Sequence, residues 1–235
     1  MPIALLVMIA IGVVLRLLLK NKSEKIKNIP LTIIAFMLLG LEIGKQIYYI
    51  FFVEYVTYAL PFHFCTLVIV VIILTQVFGK RLNAFFKPIA FSFSGLATFM
   101  LYIAPTSLIG SSLDNLFKNY YTFHTCTFHH LLVLYFILTI SLGTYQPKLT
   151  DCFKNIGGII FYGLYATPIA FALNTNYVNI LKSTIGILEN IRLSCGQFVY
   201  DAIWFLFCSA CSALICIAYY YILKLISYIK SRVKG

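Results

Sequence analysis

"LPFHFCTLVIVVIIL", residues 60–74, leads a proline, a histidine and a cysteine into an apolar run that reaches Phe78 without a charge. About 18 uncharged residues is the length at which a helix crosses the hydrocarbon of a bilayer. Residues 61–78 therefore read as a membrane span, and the rest of the chain must be read as a membrane protein. Pro61 suits the first turn of such a helix, where its missing N–H costs nothing. His63 and Cys65 then stand at the mouth of the span, roughly 200° apart around the helix, so they do not share a face.

Six further apolar runs flank this one, at about 2–19, 30–53, 88–104, 120–142, 155–173 and 200–226. The composition agrees: 61% of residues are hydrophobic and 11% charged, against about 25% charged in a soluble domain. The runs are too long and too evenly apolar for barrel strands, which alternate polar and apolar over about ten residues. The predicted fold class is all-α: a polytopic membrane protein, a seven-transmembrane-helix bundle formed as one domain over residues 1–235. The first run lacks a basic n-region and a small-residue cleavage site, so it reads as a retained span.

The net charge of +11 is explained by its placement rather than by nucleic acid. Arg16, Lys20, Lys22, Lys25 and Lys27 follow the first span; Lys80, Arg81 and Lys87 follow the third. Lys148 and Lys154 follow the fifth, and Lys224, Lys230, Arg232 and Lys234 close the seventh. The opposite loops hold Lys118, Lys182 and Arg192. This alternation keeps step with seven crossings and would break with six or eight. By the positive-inside rule it places the N-terminus outside and the C-terminus in the cytoplasm. The chain reads as a multi-pass protein of the cell membrane whose partner is the lipid bilayer. A phospholipid or acyl substrate is the ligand expected.

Seven cysteines, Cys65, Cys126, Cys152, Cys195, Cys208, Cys211 and Cys216, fall mostly within spans. They show no secreted-scaffold spacing. Cys208 and Cys211 form a lone CxxC, short of the four ligands of a structural zinc site. No metal and no cofactor is expected. There is no internal repeat of the kind that marks an inverted-repeat transporter. Residues 174–199 form the longest connection, an outer interfacial loop or lid. Leu181, Thr184, Ile185, Leu188 and Ile191 recur there at helical spacing, which reads either as a short interfacial helix or as an ordinary exposed loop.

Ionisable groups inside spans are costly, so they usually face a bundle interior and mark a pathway or site. Glu42, Lys45, Gln46 and Tyr49 share one face of the second span. They are either a self-satisfied ion pair or the polar wall of a cavity. His63 is either an interfacial residue wetted by headgroups or part of that cavity, and Cys65 is either an inert packer or a nucleophile. In the fifth span, His124 lies near the outer mouth, with His129 and His130 about two turns deeper. Adjacent histidines point about 100° apart, so one can face a cavity while the other meets a neighbouring helix. Asn174 and Asn176 close the sixth span, either as amide donors to an ester oxygen or as helix terminators. A single cavity open to the outer leaflet accounts for Glu42, His63, His124, His130, Asn174 and Asn176 together.

Four short segments, taken in order, resemble the YwaF-like bacterial integral membrane proteins. "LPFHFC" resembles their "LPxHxC", "HHLLVLYF" their histidine segment in the fifth span, "NTNYVNIL" their Asn-Tyr segment, and "GLEIGKQ" a stretch of their second span. That family looks distantly related to a eukaryotic seven-helix acyltransferase acting on ether phospholipids. The resemblance implies His63 and His130 as the matching functional positions. The cysteine directly before the histidine of that enzyme is Phe62 here, and Cys65, one turn deeper on the face of Phe62, is the substitute.

Two function classes follow. In the first, acyl transfer or ester hydrolysis on a lipid, Cys65 attacks an ester carbonyl, with His130 or His63 as base and acid. Asn174 and Asn176 stabilise the oxyanion, and Glu42, Gln46 and His124 line the substrate pocket. In the second, a non-catalytic transporter or lipid or small-molecule binder, Glu42, His63 and His130 bind the ligand or relay protons. A retinal protein is disfavoured because the seventh span has no mid-helix lysine, and no Walker motif is present.

Overall fold

The computed structural model describes residues 2–105, 108, 117 and 120–234; Lys118 lies outside the described residues. The described helices are α1 (Pro2–Leu19), α2 (Glu24–Phe51), α3 (Phe64–Val77) and α4 (Lys80–Ile103), then α5 (Tyr120–Ser141), α6 (Asp151–Ala172), α7 (Gly186–Cys195) and α8 (Gln197–Lys234). Short 3₁₀ turns lie at Thr57–Ala59 and Tyr177–Asn179, and there is no strand among the described residues. Seven of these helical stretches are long and apolar enough to cross a membrane, as the run lengths predict.

Helix α4 is the centre of the bundle and packs against α3, α5, α6 and α8. Its middle turns, Ala90 to Ser94, are wholly buried. Small residues let the neighbours approach: a Cβ on Gly95 would stand 2.8 Å from Phe136 and 3.0 Å from Ile215. Where lipid tails are as apolar as leucine, such close packing replaces the hydrophobic drive between helices. Helix α1 lies at the edge, packed on α5 through Gly12, whose added Cβ would meet the Ser141 hydroxyl at 2.7 Å.

Helix α4 begins at Lys80, eight residues before its apolar run, and three other boundaries also differ from the sequence reading. Helix α2 begins six residues before the apolar run, with Glu24 in its first turn, because charged residues end hydrophobicity without ending helix propensity. For the same reason α8 runs past residue 226 to Lys234. At about 1.5 Å per residue its 38 residues far exceed a hydrocarbon thickness of about 30 Å.

The third difference bears on the site: α3 starts at Phe64, not at Pro61. Leu60 is extended (φ −58°, ψ 148°), as a residue before proline tends to be. The Phe62 carbonyl accepts from the Tyr162 hydroxyl at 3.2 Å, and His63 Nε2 meets the Tyr58 carbonyl at 3.0 Å. These contacts hold both residues outside the helix. His63 becomes its N-cap, and the His63 carbonyl accepts from the N–H of Thr66 at 3.0 Å. The angular separation predicted for His63 and Cys65 on one helix therefore does not apply. Cys65 is instead the second residue of α3.

Chain connectivity puts the ends of α2, α4 and α6 and the starts of α3, α5 and α8 at one end of the bundle, the cavity end. The connection at 174–199 crosses it and contains a helix, α7, packed on α8.

Candidate functional site

At the cavity end the helices enclose a cavity of about 290 Å³. Glu42 and Lys45 of α2 form part of its wall, as do His63, Cys65 and Thr66 at the start of α3. Helix α5 contributes Tyr121, His124, Thr125, Phe128 and His129. Helix α8 adds Trp204, Phe205 and Cys208, and the connection adds Asn176 and Val178. The lining combines polar groups with aromatic and aliphatic ones, which suits a ligand with a polar end and an apolar chain.

Cys65 Sγ lies 3.3 Å from His129 Nε2. The other ring nitrogen, Nδ1, is 2.7 Å from the Thr125 carbonyl, one turn back on α5. A carbonyl oxygen only accepts, so the neutral ring carries its proton on Nδ1 and turns the Nε2 lone pair to the thiol. Cys65 is then the donor and His129 the acceptor. A thiol, a ring nitrogen that can take its proton and a carbonyl that fixes the ring are thus in line, the order a cysteine nucleophile would require.

The resemblance points to His130, but the histidine that meets Cys65 is His129. His130 does not line the cavity, and its Nδ1 bonds back to the Cys126 carbonyl at 2.7 Å. One residue of helix rotates a side chain by about 100°, which is enough to separate the two. A sequence signal for this exists: Tyr121, Thr125 and His129 recur every fourth residue, with His124 and Phe128 beside them, so one face of α5 carries all five.

Glu42 and Lys45 form an ion pair at 2.8 Å, both nearly buried. Gln46 does not line the cavity but holds the pair, donating to Glu42 Oε1 at 2.9 Å and to the Ala59 carbonyl at 2.8 Å. The Tyr55 hydroxyl donates to Gln46 Oε1 at 2.7 Å. The two readings of this face thus coexist, a satisfied pair that is also a wall.

The asparagines separate. Asn174 is exposed and lies outside the cavity wall; it ends α6 in the left-handed region (φ 47°), the terminator alternative. Asn176 lines the cavity, but its amide clamps the connection. Oδ1 accepts from the N–H of Leu181 at 2.9 Å and of Lys182 at 3.2 Å, while Nδ2 donates to the Lys182 carbonyl at 2.8 Å. Two more contacts close the connection. The Tyr177 hydroxyl donates to the Thr57 carbonyl at 2.5 Å, and the Tyr200 hydroxyl donates to the Asn179 carbonyl. Farther out, Glu189 accepts from Arg192 at 2.6 and 2.9 Å and from the Ser183 N–H at 2.9 Å. Those bonds, Arg192 first, hold its carboxyl down to about 2. No three or more His, Cys, Asp or Glu among the described residues are grouped to hold a metal.

A family model matches residues 1–224, and its description reads TMEM164 family, a family of membrane proteins. No curated protein and no solved structure matches the chain. The family match does not extend to the YwaF-like proteins or to the ether-phospholipid acyltransferase.

Proposed function

The chain belongs to the TMEM164 family, and from that premise we propose that it transfers or hydrolyses the acyl group of a lipid ester through a Cys65 thioester. The observation that carries this reading is the 3.3 Å contact between Cys65 Sγ and His129 Nε2, with the ring held by Thr125.

In the proposed reaction His129 Nε2 takes the thiol proton as the sulfur attacks the ester carbonyl. The C–O bond breaks and the departing alkoxide takes that proton from His129. A thioester remains. An incoming alcohol or water then gives its proton to His129, attacks the thioester carbonyl and releases Cys65. In the first turn of α3 the N–H groups of Thr66 and Leu67 already reach the His63 carbonyl, which leaves those of Phe64 and Cys65 without an intrahelical acceptor. Cys65, at the second position, therefore sits beside donors suited to the developing oxyanion. Asn174 and Asn176 are not needed for that role. His63, as N-cap, orients the start of α3. The cavity end faces outward in this reading, consistent with the basic residues gathered at the opposite end, and the membrane is the cell membrane.

The alternative, a binder or transporter without catalysis, draws on the buried Glu42–Lys45 pair in the wall. The test is to incubate purified protein with a long-chain acyl p-nitrophenyl ester and look for a hydroxylamine-labile adduct by peptide mass spectrometry. The adduct is expected on Cys65, absent in Cys65→Ala and retained in Cys208→Ala, the other cavity thiol. An adduct that survives Cys65→Ala refutes catalysis at this thiol. A silent Cys65→Ala with a ligand-binding defect in Glu42→Gln supports the binder.

A further inference from the structure

His124 is not used by the proposed reaction, yet it is among the most enclosed polar groups of the cavity wall. It is 5% exposed, and neither ring nitrogen has a hydrogen-bond partner among the described residues. The Leu41 backbone is a polar group that neighbours the ring. The ring is nonetheless held in place: it stacks on Phe128 with centroids 5.6 Å apart and lies against Tyr120 at 6.2 Å. A fixed, buried imidazole with its donor and acceptor unmatched carries a desolvation penalty that a ligand oxygen would remove. The five residues from His124 to His129 place the two about 7.5 Å apart along α5, with His124 nearer the cavity mouth.

We propose that His124 is a positioning residue that receives a second oxygen of the acyl acceptor, and so directs the thioester to a polyol-type lipid alcohol rather than to water. This rests on the Cys65–His129 reading for its chemistry but not for its binding step. Both His124 nitrogens are closed to water-sized contact, so a second acceptor oxygen, a few bonds from a hydroxyl at His129 Nε2, meets them through a small shift of the ring. Water offers no such second oxygen. A simple long-chain alcohol offers none either, so it gains nothing from His124. The group exchange is the second half of the reaction already given: the acceptor O–C bond forms, the C–S bond breaks, and His129 carries the proton to sulfur.

The experiment uses the full chain in detergent with two acceptors, 1-oleoylglycerol and oleyl alcohol, and follows the thioester and its products by mass spectrometry. His124→Phe keeps the aromatic stack and removes both polar atoms; His124→Gln keeps a donor and an acceptor. In His124→Phe, every product rate is referred to the thioester that the same variant forms, because His124 also lines the cavity that takes the donor. The ratio of transfer to hydrolysis with 1-oleoylglycerol is expected to fall about tenfold or more, the preference over oleyl alcohol to vanish, and His124→Gln to restore part of both. An unchanged ratio in a folded His124→Phe overturns the proposal, and so does loss of thioester formation itself. A second arm needs no chemistry: retention of 1-oleoylglycerol by Cys65→Ala protein, measured by native mass spectrometry, should weaken about tenfold when His124→Phe is added. If wild type forms no thioester, the acyl-transfer reading fails and this arm alone decides on His124. Equal retention in both variants then overturns the proposal.

Discussion

His129 Nε2 and Cys65 Sγ meet at 3.3 Å, although 64 residues separate them in the chain. Helices α3 and α5 both pack on α4, which sets the distance between them. The Thr125 carbonyl then selects which nitrogen faces the sulfur. The contact is thus a property of three helices rather than of either motif.

Removing the base should separate the two adjacent histidines. His129→Ala is expected to slow thioester formation by about 10²–10⁴, the usual range for a general base. His130→Ala should change it less than about threefold, since that ring faces away from the cavity. Stopped-flow release of p-nitrophenol measures both, and equal losses in the two variants would refute the assignment of His129.

The buried ion pair makes a stability prediction. Glu42→Gln leaves the Lys45 ammonium without its carboxylate, and breaking a buried pair on one side typically costs about 3–5 kcal/mol. Glu42→Leu combined with Lys45→Met removes both charges and should recover most of that loss. Urea or thermal unfolding in detergent reads the difference; a double variant no more stable than the single one argues against the pair.

Close packing at the bundle centre is tested at Gly95, where a side chain has no room. Gly95→Val should destabilise by about 1–3 kcal/mol through overpacking. Gly40, whose Cβ position meets nothing within 4 Å, is the control: Gly40→Ala should be neutral or stabilise by about 0.5–1 kcal/mol. Both are read as shifts of the unfolding midpoint.

Acid should loosen the connection over the cavity only at low pH. The Glu189 carboxyl is held at about 2, below its ordinary 4.5, by Arg192 and the Ser183 N–H. A depressed carboxyl binds fewer protons when latched than when released, so the latch is fully present above about pH 4.5 and is lost as pH falls toward 2. Hydrogen exchange of residues 183–195 should stay slow from pH 7 to 5 and quicken below, after correction for the intrinsic rate. In Arg192→Ala it should be fast throughout. Protection unaffected by Arg192→Ala would remove the latch.

Orientation is open to a direct test. Reporter fusions at Lys22, Gly79, Gln146 and the C-terminus should read cytoplasmic, and one at Thr184 should read outside. Two of the five on the wrong side would overturn the proposed orientation.

The sequence by itself determined that the chain is a bundle of seven apolar helices, because run length against bilayer thickness leaves few alternatives. It also marked Glu42, His63 and His124 as polar groups that suit one cavity better than lipid. What it left open turned on single residues. Whether α3 starts at Pro61 or Phe64 depends on the Tyr162 hydroxyl reaching the Phe62 carbonyl from another helix. Whether His129 or His130 meets Cys65 depends on about 100° of rotation about α5. Asn174 and Asn176 look alike in the chain, yet one turns a helix end and the other clamps a loop. Apolarity and charge are summed over many residues, so they survive in one dimension. Rotation, register and the partner of one hydrogen bond are set by the packing of distant helices, and only the tertiary structure decided them.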